Sequence, residues 1–138
     1  MSDQLNLYPT GLTRSQFDRL SDLADRASGT SLPELLTAVQ QHVAQTNLVY
    51  ERNRIVNLRL ATAIGKAIEQ VIGSWDELPA VARNWLGGAF LYFVQSDDDE
   101  GDFDSPIGFE DDTEVLNSCL RFAKLDYLCL NVEDYDDA

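Results

Sequence analysis

Aspartate is the residue type whose spacing in this chain could do chemistry, and aspartates are densest between residues 97 and 112. Several carboxylates on a turn are what hard cations such as Mg²⁺ and Ca²⁺ require. An EF-hand frame with Gly101 at its sixth position would run from Ser96 to Ile107, where a bidentate glutamate is needed, so that frame fails. A looser Mg²⁺ or Ca²⁺ site stays open as an alternative, with these ligands: Asp98, Asp102, Asp111 and Asp112.

Such a site would make the protein a metal-binding regulator or a metal-dependent hydrolase. The same carboxylates also have a structural use at the start of a helix. Asp111 fits an N-cap, and Asp112 and Glu114 in the first turn would favour the helix dipole.

Groups for other kinds of catalysis are scarce. His42 is the single histidine, with no cysteine or second histidine nearby to share a metal, and we expect it at the boundary of the core. The chain has no phosphate-binding loop and no nucleophile elbow, and neither cysteine has a local partner that would activate its thiol. We therefore expect no catalytic residues, no tightly bound cofactor and no enzyme.

The charge distribution is more informative. The chain has 24 acidic and 10 basic residues, a net charge of -14. Residues 1–96 hold 9 acidic and 8 basic residues, whereas residues 97–138 hold 15 acidic and 2 basic, so -13 lies in the last 42 positions. Direct binding of nucleic acid needs clustered lysine and arginine, and an acidic surface is repelled by anionic lipid. Nucleic acid and membrane are therefore excluded as expected partners.

These features predict a small binding protein that docks its acidic C-terminal face on a basic protein such as a nuclease or toxin, as an inhibitor of the immunity or antitoxin type. Tyr127 and Tyr135, like two phenylalanines nearby, would add apolar anchors. A helical scaffold or oligomer subunit is the other alternative, and the oligomeric state stays open. The residues expected to bind the partner are Asp97, Asp98, Asp99, Glu100, Asp102, Phe103, Asp104, Phe109, Glu110, Asp111 and Asp112.

The elements that must position these residues are helices. Thr13 with Gln16 forms a capping-box pattern ahead of a first amphipathic helix that Gly29 would stop. Ser31 with Glu34 repeats the box for a second helix, which we expect to end near residue 46.

Apolar residues at helical spacing predict a third helix, long or kinked, from Leu48 to Ile72. Ser74 with Glu77 is a third box, and Pro79 would occupy the first turn of a fourth helix. We expect the aromatic residues of that helix to lie in the core: Trp85, Phe90, Tyr92 and Phe93.

A fifth helix is predicted after Asp111, and it could absorb the short run from residue 128 to 130. The chain is predicted to be an all-α, single-domain bundle of four to five helices, residues 1–138, with a long acidic loop between the last two. Residues 131–138 are expected to form a flexible acidic tail.

The compartment is predicted from cysteines and from the N-terminus. Cys119 and Cys129 would lie about 15 Å apart on one helix, too far for a disulfide. Residues 1–5 lack the pattern of a signal peptide, and the longest apolar stretch, residues 85–94, is about half the roughly 20 residues that span a bilayer. A cytoplasmic protein is expected.

One stretch carries a family-like pattern. Leu78-Pro79 opens the fourth predicted helix, Tyr92-Phe93-Val94 closes it, and Gly108-Phe109-Glu110-Asp111-Asp112 opens the next. Over residues 78–125 this order resembles the YkvA-like domain of unknown function, in which a helix ending in tyrosine is followed by an Asp-bearing loop and by Gly-Tyr-x-Asp-Asp.

The resemblance covers about a third of the chain and has departures. Loop prolines of the family are replaced here by Ser96, Gly101 and Ser105, and residues 1–77 have no counterpart. The resemblance implies a helical hairpin and no settled activity. It also implies that four aspartates meet at the turn: Asp98, Asp102, Asp111 and Asp112.

Overall fold

The computed structural model describes residues 8–52, 57–94 and 109–135, and these residues fold into helices and short helical turns without a strand. This confirms the predicted all-α bundle. Within the described ranges the α-helices are α1 (Arg14–Ala27), α2 (Leu32–Arg52), α3 (Leu58–Gly73), α4 (Ala80–Val94) and α5 (Glu110–Phe122). The same ranges contain 3-10 turns at Trp75–Glu77, Asp126–Leu128 and Val132–Tyr135.

The first two helices begin as predicted. The Thr13 hydroxyl accepts the Gln16 amide N–H at 3.1 Å, and the Thr13 amide donates to the Gln16 side chain at 2.9 Å. Ser31 and Glu34 form the same reciprocal pair, at 3.3 Å and 3.1 Å. Each box satisfies two backbone N–H groups that have no partner inside the helix.

The predicted boundary between the second and third helices is wrong. α2 runs to Arg52 rather than ending near Thr46, whose hydroxyl donates to the His42 carbonyl at 2.7 Å within the continuing helix. α3 begins at Leu58, ten residues later than expected, and the Asn57 side chain caps it. No glycine or proline interrupts residues 46–52, so the helical pattern continues into that segment.

The third capping-box prediction is also wrong. Ser74 makes no capping hydrogen bond, and the residues after it form a 3-10 turn, Trp75–Glu77. α4 begins at Ala80, so Pro79 precedes the helix instead of lying in its first turn. Leu78 is extended, with φ -89° and ψ 144°, as is expected for a residue that precedes a proline.

α5 differs from its prediction at both ends. It begins at Glu110 and ends at Phe122, so Asp111 lies inside the first turn and is not the N-cap. Lys124, with φ 65°, ends the helix, and Cys129 therefore does not share it with Cys119. Both cysteines are free thiols.

α5 also does not extend over the short apolar run 128–130, which was predicted as a possible part of it. The Asn117 side chain accepts the Leu130 N–H and donates to the Leu130 carbonyl, both at 2.8 Å. Asn117 thereby supplies the two hydrogen bonds that a neighbouring strand would otherwise give to Leu130.

The core lies around α4, which packs most extensively against α1 and also contacts α2 and α5. Phe90, Tyr92 and Phe93 are buried and Trp85 is half-buried and packs against the core, which confirms the expected place of the α4 aromatic residues. Glycine permits the tight α1–α4 contact, because a Cβ on Gly88 would lie 2.8 Å from the Ala24 nitrogen. Among the described helices, none is long and apolar enough to cross a membrane.

Candidate functional site

The residues singled out by the sequence fall into two groups. Those from Asp97 to Asp104, including Asp98 and Asp102 of the suggested metal site, lie outside the described residues. The others, Phe109 to Asp112, open α5 and lie beside α1, α2 and α4.

Two of these four side chains are inaccessible. Phe109 is 0% exposed and packs against Phe93 and His42, at ring-centroid distances of 5.8 Å and 6.2 Å. Asp112 is 2% exposed. Neither offers surface to a partner in this structure, which corrects the expectation that they would contact one.

Asp111 connects three helices. Its Oδ2 accepts a hydrogen bond from the Tyr92 hydroxyl of α4 at 2.5 Å, and its Oδ1 accepts one from Gln16 Nε2 of α1. The same Gln16 amide also donates to Glu114 at 2.9 Å. The Asp111 carboxylate thus joins α1, α4 and α5, and it does so from inside the first turn of α5.

Tyr92 is the most deeply buried member of a polar cluster that it forms with Gln16, Asp111 and Glu114. Its side chain is 3% exposed, and the Arg19 guanidinium lies 5.4 Å from its ring centroid. Burial is the main reason that the pKa of Tyr92 is raised well above its ordinary value of 10, and the hydrogen bond to Asp111 and the charges of Asp111 and Asp112 raise it further, against the opposing charge of Arg19. The phenol therefore stays protonated at physiological pH and acts as a hydrogen-bond donor.

The hydrogen bonds of this cluster connect helices. Its carboxylate is occupied by two donors and its phenol cannot accept a proton as a base at neutral pH, so it ties helices together. Sequence reasoning named Asp111 but missed Gln16 and Tyr92 as its partners. They lie 95 and 19 residues away, and no local pattern marks such contacts.

The single histidine belongs to the apolar interior. His42 is 7% exposed and contacts the Phe93 ring edge-on at a centroid distance of 4.8 Å. In the described part of the chain, no group of three or more histidine, cysteine or acidic side chains is placed to hold a metal ion. Of the four suggested metal ligands, only Asp111 and Asp112 lie within that part.

The described C-terminal region also has exposed acidic residues. They are Glu114 on α5, Asp126 on the turn Asp126–Leu128, and Glu133 and Asp134 on the turn Val132–Tyr135. We call the last two elements the C-terminal turns. Their tyrosines, Tyr127 and Tyr135, line one groove of about 670 Å³ against α3.

One edge of this groove is aromatic and exposed to solvent. Tyr127 is 77% exposed, an unusual state for a large aromatic side chain, while Tyr135 packs partly against the core. The Arg59 side chain on α3 donates to the Asp134 carbonyl of the second turn at 3.4 Å.

The chain was compared with family models, with curated proteins and with solved structures, and none of the three comparisons finds a match.

Proposed function

We propose that this protein binds a basic protein partner through its acidic C-terminal region, as a small inhibitor of the immunity or antitoxin type. The observation that carries the proposal is the placement of -13 of the -14 net charge in residues 97–138. A charge of one sign gathered on one part of a small protein accelerates encounter with an oppositely charged partner and disfavours wrong ones.

The exposed side chains of the C-terminal turns support this proposal. Asp126, Glu133 and Asp134 are exposed, and each lies one or two positions from a tyrosine of the same groove. A binding surface needs apolar anchors as well as charge, because charge alone gives orientation and rate more than affinity. Tyr127, held out at 77% exposure, supplies such an anchor.

Two acidic residues in the first turn of α5 are left out of the proposed contact surface. Asp112 is inaccessible and Asp111 is engaged by Gln16 and Tyr92. They contribute to the negative field, but the contacts with the partner are proposed to come from the C-terminal turns and from the acidic run 97–104.

The experiment compares capture of the partner by the wild type with capture by two charge-matched variants. One variant neutralises the C-terminal turns: Asp126→Asn, Glu133→Gln and Asp134→Asn. The control neutralises three exposed acids of α1 and α2: Asp22→Asn, Asp25→Asn and Glu51→Gln. Purified captured protein is then titrated by calorimetry at low and high salt.

The proposal expects a basic partner whose affinity falls as salt rises and weakens about tenfold in the C-terminal variant, with less than a twofold change in the control. Tyr127→Ala should weaken binding further at all salt concentrations, since its contribution is apolar. A captured partner with a neutral or acidic surface, or equal losses in the two charge variants, contradicts the proposal.

A further inference from the structure

A second surface of the molecule has the opposite electrostatic character. A cleft of about 430 Å³ lies between the start of α4, the end of α5 and the segment that precedes α1. Tyr8, Val81 and Phe122 give it apolar walls, and Arg121 and Lys124 give it two positive charges. None of the described residues that line it is acidic, although the whole chain carries -14.

Both cations lie at the end of α5 and line the same cleft. Arg121 lies in the last turn, and its guanidinium passes close to Gly11, where a Cβ would lie 3.7 Å from Nη2. A guanidinium carries five N–H donors in a planar fork, a geometry that suits an acidic group of a ligand.

Lys124 occupies a backbone position that favours glycine. Its φ is 65°, and it lies just after Ala123, the C-cap of α5, where the Leu125 N–H donates to the Leu120 carbonyl at 2.8 Å. Residues with a Cβ adopt this left-handed conformation at a cost in stability, and helices that end this way commonly use glycine. Glycine at position 124 would make the end of the helix more stable, whereas lysine adds a positive charge to the cleft.

We propose that this cleft binds an amphipathic organic anion, with an apolar or aromatic body between Tyr8, Val81 and Phe122 and an acidic group paired with Arg121 and Lys124. The volume falls within the range of small-molecule sites, and mostly apolar walls with a few polar groups are typical of them. The local cations are needed for this, because the net field of the protein repels anions. The site is separate from the C-terminal turns and does not depend on the proposed function.

The test uses two fluorescent probes with the same aromatic body. Anilinonaphthalene sulfonate carries a sulfonate, and phenylnaphthylamine lacks it. Both are titrated into the full-length wild type and into four variants, Arg121→Gln, Lys124→Gly, Arg59→Gln and Lys66→Gln. The last two remove cations from the groove on α3 and serve as matched controls.

We expect saturable binding of one sulfonate probe per chain, weaker binding of the neutral probe, and a Kd that rises about fivefold in Arg121→Gln and in Lys124→Gly. Lys124→Gly should also raise the melting temperature, because glycine relieves the left-handed backbone. Weaker binding in a more stable protein cannot come from loss of folding. Equal binding of the two probes, an unchanged Kd in Lys124→Gly, or an equal loss in Arg59→Gln or Lys66→Gln overturns the proposal.

Discussion

Tyr92 of α4 and Asp111 of α5 are joined by a hydrogen bond of 2.5 Å between the Tyr92 hydroxyl and Asp111 Oδ2. Hydrogen bonds to a charged acceptor are stronger than neutral ones, and this one lies where Tyr92 is almost fully buried. The pair fixes the start of α5 against α4, which positions the element that leads to the C-terminal turns.

Removal of this hydroxyl should destabilise the fold. Tyr92→Phe keeps the ring and leaves Asp111 with one donor fewer, so we expect the free energy of unfolding to fall by about 1–3 kcal/mol. Denaturant titration followed by circular dichroism measures it. Tyr127→Phe is the matched control, because its hydroxyl belongs to a side chain that is 77% exposed, and a similar loss in that variant would contradict the role given to Tyr92.

Stability should decrease at alkaline pH. The pKa of the buried Cys119 thiol and that of Tyr92 are raised above their ordinary values of about 9 and 10, in both cases chiefly by burial. A group whose folded pKa is raised contributes stability that is fully present below its unfolded pKa and is lost as pH rises toward the folded pKa.

The free energy of unfolding should therefore fall from about pH 9 upward, and more steeply above pH 10, by up to about 1.4 kcal/mol per pH unit for each group. Denaturant titrations between pH 8 and pH 11 measure this slope. Tyr92→Phe should flatten the part above pH 10. A wild-type slope in Tyr92→Phe would show that Tyr92 ionises in the folded protein.

The contact between α1 and α4 should not tolerate a side chain at Gly88. A Cβ there would lie 2.8 Å and 2.9 Å from backbone atoms of Ala24, which cannot move aside as a side-chain tip can. We expect Gly88→Ala to cost about 1–3 kcal/mol in thermal or chemical unfolding. Gly73→Ala is the control, since nothing lies within 4 Å of its Cβ position and its effect should be neutral or slightly stabilising.

Alanine substitution at the first residue of each capping pattern should change the free energy of unfolding by different amounts. Thr13→Ala and Ser31→Ala each remove an observed capping bond, and we expect each to lower the unfolding free energy by about 1 kcal/mol. Ser74→Ala removes no such bond, so its change should stay below about 0.5 kcal/mol. Equal losses at all three sites would mean that the sequence pattern, rather than the hydrogen bond, decides stability.

The sequence alone determined the features that depend on near neighbours along the chain. Helical periodicity predicted the bundle, and the boxes at Thr13 and Ser31 were predicted because donor and acceptor lie three residues apart. The capping box predicted at Ser74 was wrong, although it has the same spacing. Pro79 keeps Leu78 in an extended conformation, and α4 begins only at Ala80. The charge of the last 42 residues is likewise a property of the sequence.

Tertiary structure decided which acidic residues are available. Asp111 was predicted as an N-cap, yet Gln16 and Tyr92 from other helices engage its carboxylate, and Phe109 is buried against α2 and α4 instead of facing solvent. Such contacts join residues 16 to 95 positions apart. Their energy comes from packing that exists only once the helices meet, so no pattern in the chain predicts them. The cleft at Arg121 and Lys124 arises in the same way, since distant segments form its walls.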